Sequence, residues 1–385
     1  MIILGLNPSH HGSVTILKNG RIKLFLQEER LSRYKYDTMP FLGLRNILKK
    51  YIVDHITWGT PSMFYPVNQR YCKSKFTTPY FMGYIDKFSN STHNNFIYTD
   101  FSPDNHHLCH ASHAFYNSGF DNAISIVIDG MGSFVDKYQQ FREVESVYVF
   151  SYPFNVRLIH KNSLKLDKDE PKNFGISRAY EIINIHLGFD RNEAGKTMGL
   201  SSYGKDNPNL PEIYNNINLF TTQNLSKRQI KAIKNNQLDS DDMYVDEKIN
   251  PILKPHTKLN KWHRDESKIR NIEKDLAWKI QKDSQEKVAE LVKKAINKSG
   301  LKKICCSGGY FLNCVTNYYL LKQFPDIEFY FEPIANDAGT AIGAAKITHH
   351  SITKDTTIRP LKSLYLGPKY SKKQLLKKIK KYVDK

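Results

Sequence analysis

Apolar and polar positions fall into blocks along this chain. Ile2–Leu6 is an apolar run of the length of a buried strand. Ser13–Leu17 and Arg21–Gln27 follow, joined by Lys18-Asn19-Gly20, and Asn-Gly between two such runs is a strong hairpin signal. The chain is therefore predicted to open as strand, polar loop, strand, tight turn, strand. At Ala123 the pattern restarts: an apolar run to Ile128 ends in Asp129-Gly130-Met131-Gly132, and Val147–Ser151 reads as a further strand. A strand-then-polar-loop opening that occurs twice suggests a duplicated fold.

Helical periodicity fills much of the rest. Ser177–Leu187 is one helix, ended by Gly188. Leu276, Ile280, Ser284, Val288, Leu291 and Ala295 form one stripe of a long helix that stops at Gly300. Ile304–Cys306 is a short strand running into Ser307-Gly308-Gly309. Residues 205–270 are polar with weak periodicity and read as a variable surface insertion. The last core helix is expected at about Asp337–Ile347, with Pro360 and Gly367-Pro368 marking a boundary after it.

At 385 residues, the chain can bury a substantial core without disulfides. Its five cysteines (Cys72, Cys109, Cys305, Cys306 and Cys314) have no framework spacing and suggest reduced thiols in a cytoplasm. The start lacks the pattern of a signal peptide, and no apolar run is long enough to span a membrane. The net charge of +19 invites a nucleic-acid reading. Residues 346–385, however, carry twelve Lys/Arg against two Asp, so more than half of the excess sits in one short tail and nucleic acid is not favoured as a partner.

Five segments carry candidate chemistry. In His106-His107-Leu108-Cys109-His110, His106 and His110 stand i, i+4 and would share a helix face, a spacing that can seat one metal ion. Gly130 and Gly132 let backbone approach a phosphate while Asp129 holds its counter-ion. Ser307, Gly308 and Gly309 lead through a loop to Asn313 and suit a phosphate at a helix start. Lys196, between glycines in Glu193–Leu200, can meet a phosphate or oxyanion. Asn336-Asp337-Ala338-Gly339-Thr340 is followed by Ala341, Gly343, Ala344 and Ala345, whose small size permits close helix packing. Taken singly, each segment has an ordinary explanation: a solvated helix start, a hairpin turn, a surface loop or a cap.

In this order, the segments "HHLCHASHAFYNSGF", "IVIDGMG", "EAGKTMGLSSYG", "SGGYFLNCVTN" and "EPIANDAGTAIGAA" resemble the NodU/CmcH-type O-carbamoyltransferases. The openings "HHGSVTILKNGRI" and "EERLSRYKYD" resemble that family too. The resemblance runs from residue 2 to about 370 and implies an α/β, two-lobed actin/sugar-kinase/heat-shock-type ATPase fold with duplicated mixed-sheet lobes. On it, residues 1–122 are the first lobe, 123–350 the second, and 351–385 a linker and the start of a truncated YrdC-like domain.

The resemblance further implies a divalent metal (Fe, or Mn or Zn) on His106, His110, Asp129 and Asp337. The adenylate falls at Ser307–Gly309 and Asn313, with Gly130 and Gly132 as further nucleotide contacts. A YrdC-like domain or partner chain would make carbamoyl-adenylate from carbamoyl phosphate and ATP. The present chain would pass the carbamoyl group to a hydroxyl of a small molecule, sugar or modified nucleoside. Lys196 or backbone amides would stabilise the carbamoyl oxygen and His11 would take the hydroxyl proton. Gly12 stands where the family usually has an aspartate. A tRNA threonylcarbamoyl transferase and a catalytically silent subunit of the same fold are the competing readings.

Three geometric expectations follow. The four metal residues should converge on one point. Ser307–Gly309 should face Asp129–Gly132 across a cleft between the lobes. The amphipathic stretch Ser371–Lys385, with Leu375, Leu376, Ile379, Tyr382 and Val383 on one face, should dock a partner chain carrying the YrdC-like activity, fold back on its own first domain, or fray as a lysine-rich tail.

Overall fold

The computed structural model describes residues 1–59, 97–98, 106–135, 140–165, 174–214, 219–221, 226–234, 244–246 and 269–383. Cys72, the side chains of Lys381 and Val383, and most of the expected 205–270 insertion lie outside them.

The opening hairpin forms as expected. Strands β1 (Ile2–Asn7), β2 (Ser13–Lys18) and β3 (Arg21–Gln27) pair antiparallel. Asn19 and Gly20 both take positive φ, 48° and 73°, as a two-residue hairpin turn requires. Helices α1 (Glu28–Ser32) and α2 (Phe41–Leu48) precede β4 (His55–Trp58), which pairs parallel to β1, and β5 (Ile97–Tyr98) completes the sheet in the order β3-β2-β1-β4-β5.

Helix α3 (His106–Ser118) leads to β6 (Asn122–Ile128), β7 (Phe141–Ser151) and β8 (Asn155–Lys165), again antiparallel. After α4 (Ile176–His186) and α5 (Ala194–Ser201) come the small pieces β9 (Phe220–Thr221), α6 (Lys227–Lys234) and β10 (Tyr244–Val245). Helix α7 (Asn271–Ser299) buries the stripe read from the sequence and ends at Gly300, φ 72°. Then follow β11 (Lys303–Ser307), α8 (Cys314–Gln323), β12 (Glu328–Phe331), α9 (Thr340–Thr353) and α10 (Lys372–Val383).

The second sheet runs β12-β11-β6-β7-β8, with β11 parallel to β6 and to β12. Exchange β6, β7, β8, β11, β12 for β1, β2, β3, β4, β5 and the two sheets have the same order and polarity. This is the duplicated, two-lobed arrangement expected from the restart at Ala123.

Two helices join the lobes. Helix α3 packs on β6, β7 and β11 of the second sheet; α9 packs on β1, β2 and β4 of the first and also on α3. The small-residue run makes this possible. A Cβ on Gly343 would stand 1.9 Å from the Cys109 carbonyl oxygen, and one on Gly5 2.0 Å from that of Ala341. Close backbone approach at both faces of α9 therefore needs glycine.

Candidate metal and nucleotide cleft

The first turns of α3 deliver the two histidines. Both rings are buried, T-shaped at 4.7 Å between centroids. Asp129 leaves the carboxyl end of β6 and Asp337 opens the turn before α9, so four side chains from three segments meet. His106 Nε2 lies 3.4 Å from Asp129 Oδ2 and 3.6 Å from Asp337 Oδ1; His110 Nε2 lies 3.4 Å from the same Asp337 oxygen. One donor atom from each residue falls within 4.8 Å of the others.

The far side of each ring fixes what the near side offers. His106 Nδ1 donates to the Gly59 carbonyl at 2.9 Å, which makes its Nε2 the nitrogen that a metal would take in exchange for a proton; His110 Nδ1 hydrogen-bonds with Ser307 Oγ at 3.3 Å. Neither buried Nε2 has a hydrogen-bond partner. Two such nitrogens and two carboxylates fit a divalent transition metal better than calcium, which prefers an all-oxygen shell. Without a metal, the same two carboxylates favour a proton on the ring. Burial lowers the His106 pKa, but Asp337 and Asp129 outweigh it and hold the ring at about 10. Burial opposes ionisation of both aspartates, yet Asp129 is held below its ordinary range by His106 and His110, and Asp337 well below by His10 and His106.

The two aspartates of this cluster line a cleft of roughly 630 Å³, with the two histidines buried behind them. Gly130, Gly309 and Asn313 also line it, as do His10 and His11 from the first lobe. The two glycine loops do not oppose each other, as the sequence reading expected. They leave the carboxyl ends of adjacent parallel strands, β6 and β11, and touch: Gly309 N–H donates to Asp129 Oδ1 at 3.1 Å. What faces them across the cleft is the β1–β2 loop, where Ser9 Oγ donates to Asp337 Oδ2 at 3.3 Å and His10 Nε2 lies 3.4 Å from the same oxygen.

Other predicted residues are placed differently. Gly308, at φ 95°, lies against the Ile128 carbonyl, where a Cβ would come within 2.3 Å, so it serves loop geometry. Gly132 sits against Glu143 and His107 behind the cleft wall. Asn313 caps α8 by accepting the Thr316 N–H at 3.0 Å and donates to Gln281 Oε1. Lys196 is half-exposed, bonded to Glu193 at 2.7 Å, and does not line the cleft, although its neighbours Gly195 and Met198 do. His11, at φ 62°, presents its ring edge-on to Tyr36.

Sequence reading passed over His10, Tyr36, Arg142, Glu181 and Arg191, which line the cleft. Arg142 and Glu143 stand side by side on β7 and clamp the Gly130–Ser133 loop: Arg142 donates to the Gly132 carbonyl, and Glu143 accepts the Ser133 N–H at 3.1 Å. The strand was read from the sequence only at Val147–Ser151, and β7 begins six residues earlier at Phe141, so the adjacent charges Arg142 and Glu143 fell outside it.

A family model described as Carbamoyltransferase N-terminus matches residues 68–346. The chain is similar to the uncharacterized protein MJ1058 of Methanocaldococcus jannaschii, 29% identical over 293 residues, covering 73% of this chain and 43% of that protein. It is also similar to the nodulation protein NolNO of Sinorhizobium fredii, 24% identical over 266 residues, 68% of this chain and 33% of that protein. It thus spans less than half the length of these relatives. Among solved structures, full-length HypF in its phosphate- and nucleotide-bound form matches with TM-score 0.46 and 13% identity, covering 90% of this chain and 55% of that one.

Proposed function

The chain belongs to the carbamoyltransferase N-terminus family, and from that premise we propose that it transfers a carbamoyl group from carbamoyl-adenylate to a hydroxyl of a small-molecule, sugar or modified-nucleoside acceptor. The observation that supports this most is the buried His106–His110–Asp129–Asp337 cluster at the wall of a cleft that two glycine loops also line. We assign the donor nucleotide to the Gly130–Met131 and Gly309–Asn313 side. A divalent metal held by the four cluster residues supplies Lewis acidity and a template for oxygen ligands.

In the step itself, the acceptor oxygen attacks the carbamoyl carbon, the carbon–oxygen bond to the adenylate phosphate breaks, AMP leaves, and the hydroxyl proton passes to an imidazole. His11 suits that role because burial above all, and then His10, lower its pKa and leave it neutral near pH 7. His10, nearer to Asp337, is the second base candidate. Lys196 remains a proposed contact of the carbamoyl oxygen, reached from beside Gly195.

The donor is proposed to come from a YrdC-like unit acting on carbamoyl phosphate and ATP, and we propose residues 351–385 as the link to it, beyond lobes at 1–122 and 123–350. Unpaired buried thiols at Cys109, Cys305 and Cys306 support a cytoplasmic setting. No helix of the described residues is long and apolar enough to cross a membrane.

Synthetic carbamoyl-adenylate, manganese and a panel of hydroxyl acceptors test the reading. Mass spectrometry is expected to find an acceptor carrying one carbamoyl group, and that product should vanish with His110→Ala. Donor that binds without being transferred to any acceptor class would favour the silent-subunit reading. For nucleotide binding, Gly195→Trp is the informative variant, since nothing stands within 4 Å of a Cβ there; it should weaken AMP binding without disturbing the fold.

A further inference from the structure

The cleft has two sides of opposite charge. Asp129 and Asp337 make one. The other belongs to the second lobe: Arg142 on β7, Arg178 and Glu181 on α4, and Arg191 in the loop before α5. Arg142, Glu181 and Arg191 line the cleft, and Arg178 is buried behind them. Arg178 Nη1 donates to Glu181 Oε2 at 2.6 Å, and Arg191 Nε donates to Glu181 Oε1. A Cβ on Gly130 would stand 3.8 Å from Glu181 Oε2, so this group reaches the floor of the cleft beside the Asp129 loop. Arg142 is close enough to Arg178 for the two charges to repel.

Two guanidinium groups, Arg178 and Arg191, thus share one carboxylate, with the Arg142 guanidinium beside Arg178, in a partly enclosed cleft where charges are screened less than on an open surface. Arginine forks match the oxygens of a phosphate or carboxylate. The side chain of Arg191 is 40% exposed, so it can meet a ligand, while Glu181 keeps its guanidinium turned along the wall.

We propose that Arg191 and Arg178, paired to Glu181, together with the neighbouring Arg142, form a subsite for an anionic group, phosphate or carboxylate, on the hydroxyl acceptor. The assignment to the acceptor rests on the reading above, which gives the glycine loops and the metal cluster to the donor. A wall that only braces α4 against the Arg191 loop would need no ligand.

Calorimetric titration of the full chain with inorganic phosphate, alone and in saturating AMP, separates these cases. Arg191→Gln should weaken phosphate binding by about ten-fold or more, with Arg191→Lys, which keeps the charge but loses the fork, recovering only part of it. Glu181→Gln removes a negative charge beside the ligand and should tighten binding by about three-fold or more. Phosphate should still bind when AMP is present. A bracing network gives the opposite sign for Glu181→Gln, because the buried Arg178 loses its ion pair. Phosphate binding that is indifferent to Arg191→Gln, weakened by Glu181→Gln, or expelled by AMP overturns the proposal; expulsion would give the wall to the donor phosphate. If AMP fails to bind while phosphate stays Arg191-dependent, the subsite stands and the nucleotide reading falls.

Discussion

The i, i+4 spacing of His106 and His110 announced a shared helix face, and the structure puts both Nε2 atoms at one point. The two aspartates were readable only through the order of segments in the resemblance. Asp129 and Asp337 lie far apart in sequence, and nothing in spacing says that their turns will meet. The sequence reading named His11 and did not consider His10: the left-handed φ at His11 turns its ring toward Tyr36 and leaves His10 over Asp337. The cluster makes a proton prediction. With its pKa held near 10, His106 is protonated at neutral pH when no metal is bound; this contribution to stability is full below the ordinary histidine pKa of 6.5 and fades as pH rises through about 10. Asp129, held low, contributes above its ordinary 3.8 and fades as pH falls. A metal needs the Nε2 lone pair, so binding near pH 7 should expel about one proton per ion, read from calorimetric enthalpies in buffers of different ionisation enthalpy. Asp337→Asn should cut metal affinity by about ten-fold or more and also reduce the proton count, since it removes the carboxylate that does most to raise the His106 pKa.

Among elements, those fixed by local chemistry were the legible ones. The Asn19-Gly20 turn, the α7 stripe with its Gly300 stop and the small-residue face of α9 all appear as read. Strand β8 was missed because only two of its eleven positions, Ile159 and Leu164, are buried, which leaves no clean alternation. Helix α9 runs six residues past its expected end at Ile347, because His349 and His350 are held by Asp355. The side-by-side glycine loops follow from β6 and β11 being parallel neighbours, a pairing that no local signal encodes. Two predictions belong here. Gly343→Ala would drive a methyl into the Cys109 carbonyl at the α9–α3 crossing and should cost about 3 kcal/mol, seen as a melting point lower by about 5 °C or more. Metal affinity should fall with it, because α3 carries the histidines and α9 follows Asp337.

The second concerns the buried network behind that crossing. Burial lifts the Glu332 carboxyl to about 7 and lowers the Lys346 ammonium to about 7, with Asn117 bonded to both. Between pH 4.5 and 7 folded Glu332 keeps a proton that the unfolded chain has lost, so stability falls as pH rises; between 7 and 10.5 unfolded Lys346 keeps a proton that the folded chain has lost, so stability rises. Glu332→Gln should flatten the lower limb in urea melts and leave the upper one.

For the whole molecule, the restart at Ala123 revealed the duplication but not the seam, in which each lobe's sheet is covered by a helix that also grips the other lobe. After α9 the chain crosses the outside of this seam. Leu361 N–H donates to the Asn117 carbonyl on α3, the helix that packs on the second sheet, and Phe25 N–H on β3, an edge strand of the first sheet, donates to the Leu366 carbonyl, so this segment is tied to both sides of the seam. Helix α10 is different. Leu375 and Leu376 are each 49% exposed, Ile379 55% and Tyr382 74%, so the helix has not folded back on the lobes. An apolar stripe flanked by lysines, left in water, contributes little to the fold and leaves contact area for a neighbouring unit. Deleting Ser371–Lys385 should therefore shift the melting point by no more than about 1 °C, a small change for a chain of this size. On the proposal that this segment links the lobes to the adenylate-forming unit, the same deletion should abolish capture of a purified YrdC-like protein and leave transfer from synthetic carbamoyl-adenylate intact. Leu376→Asp with Ile379→Asp should reproduce the loss of capture without removing any lysine. A large drop in melting point on deletion would mean that α10 packs on the lobes after all, and capture that survives both changes would remove the helix from the interface.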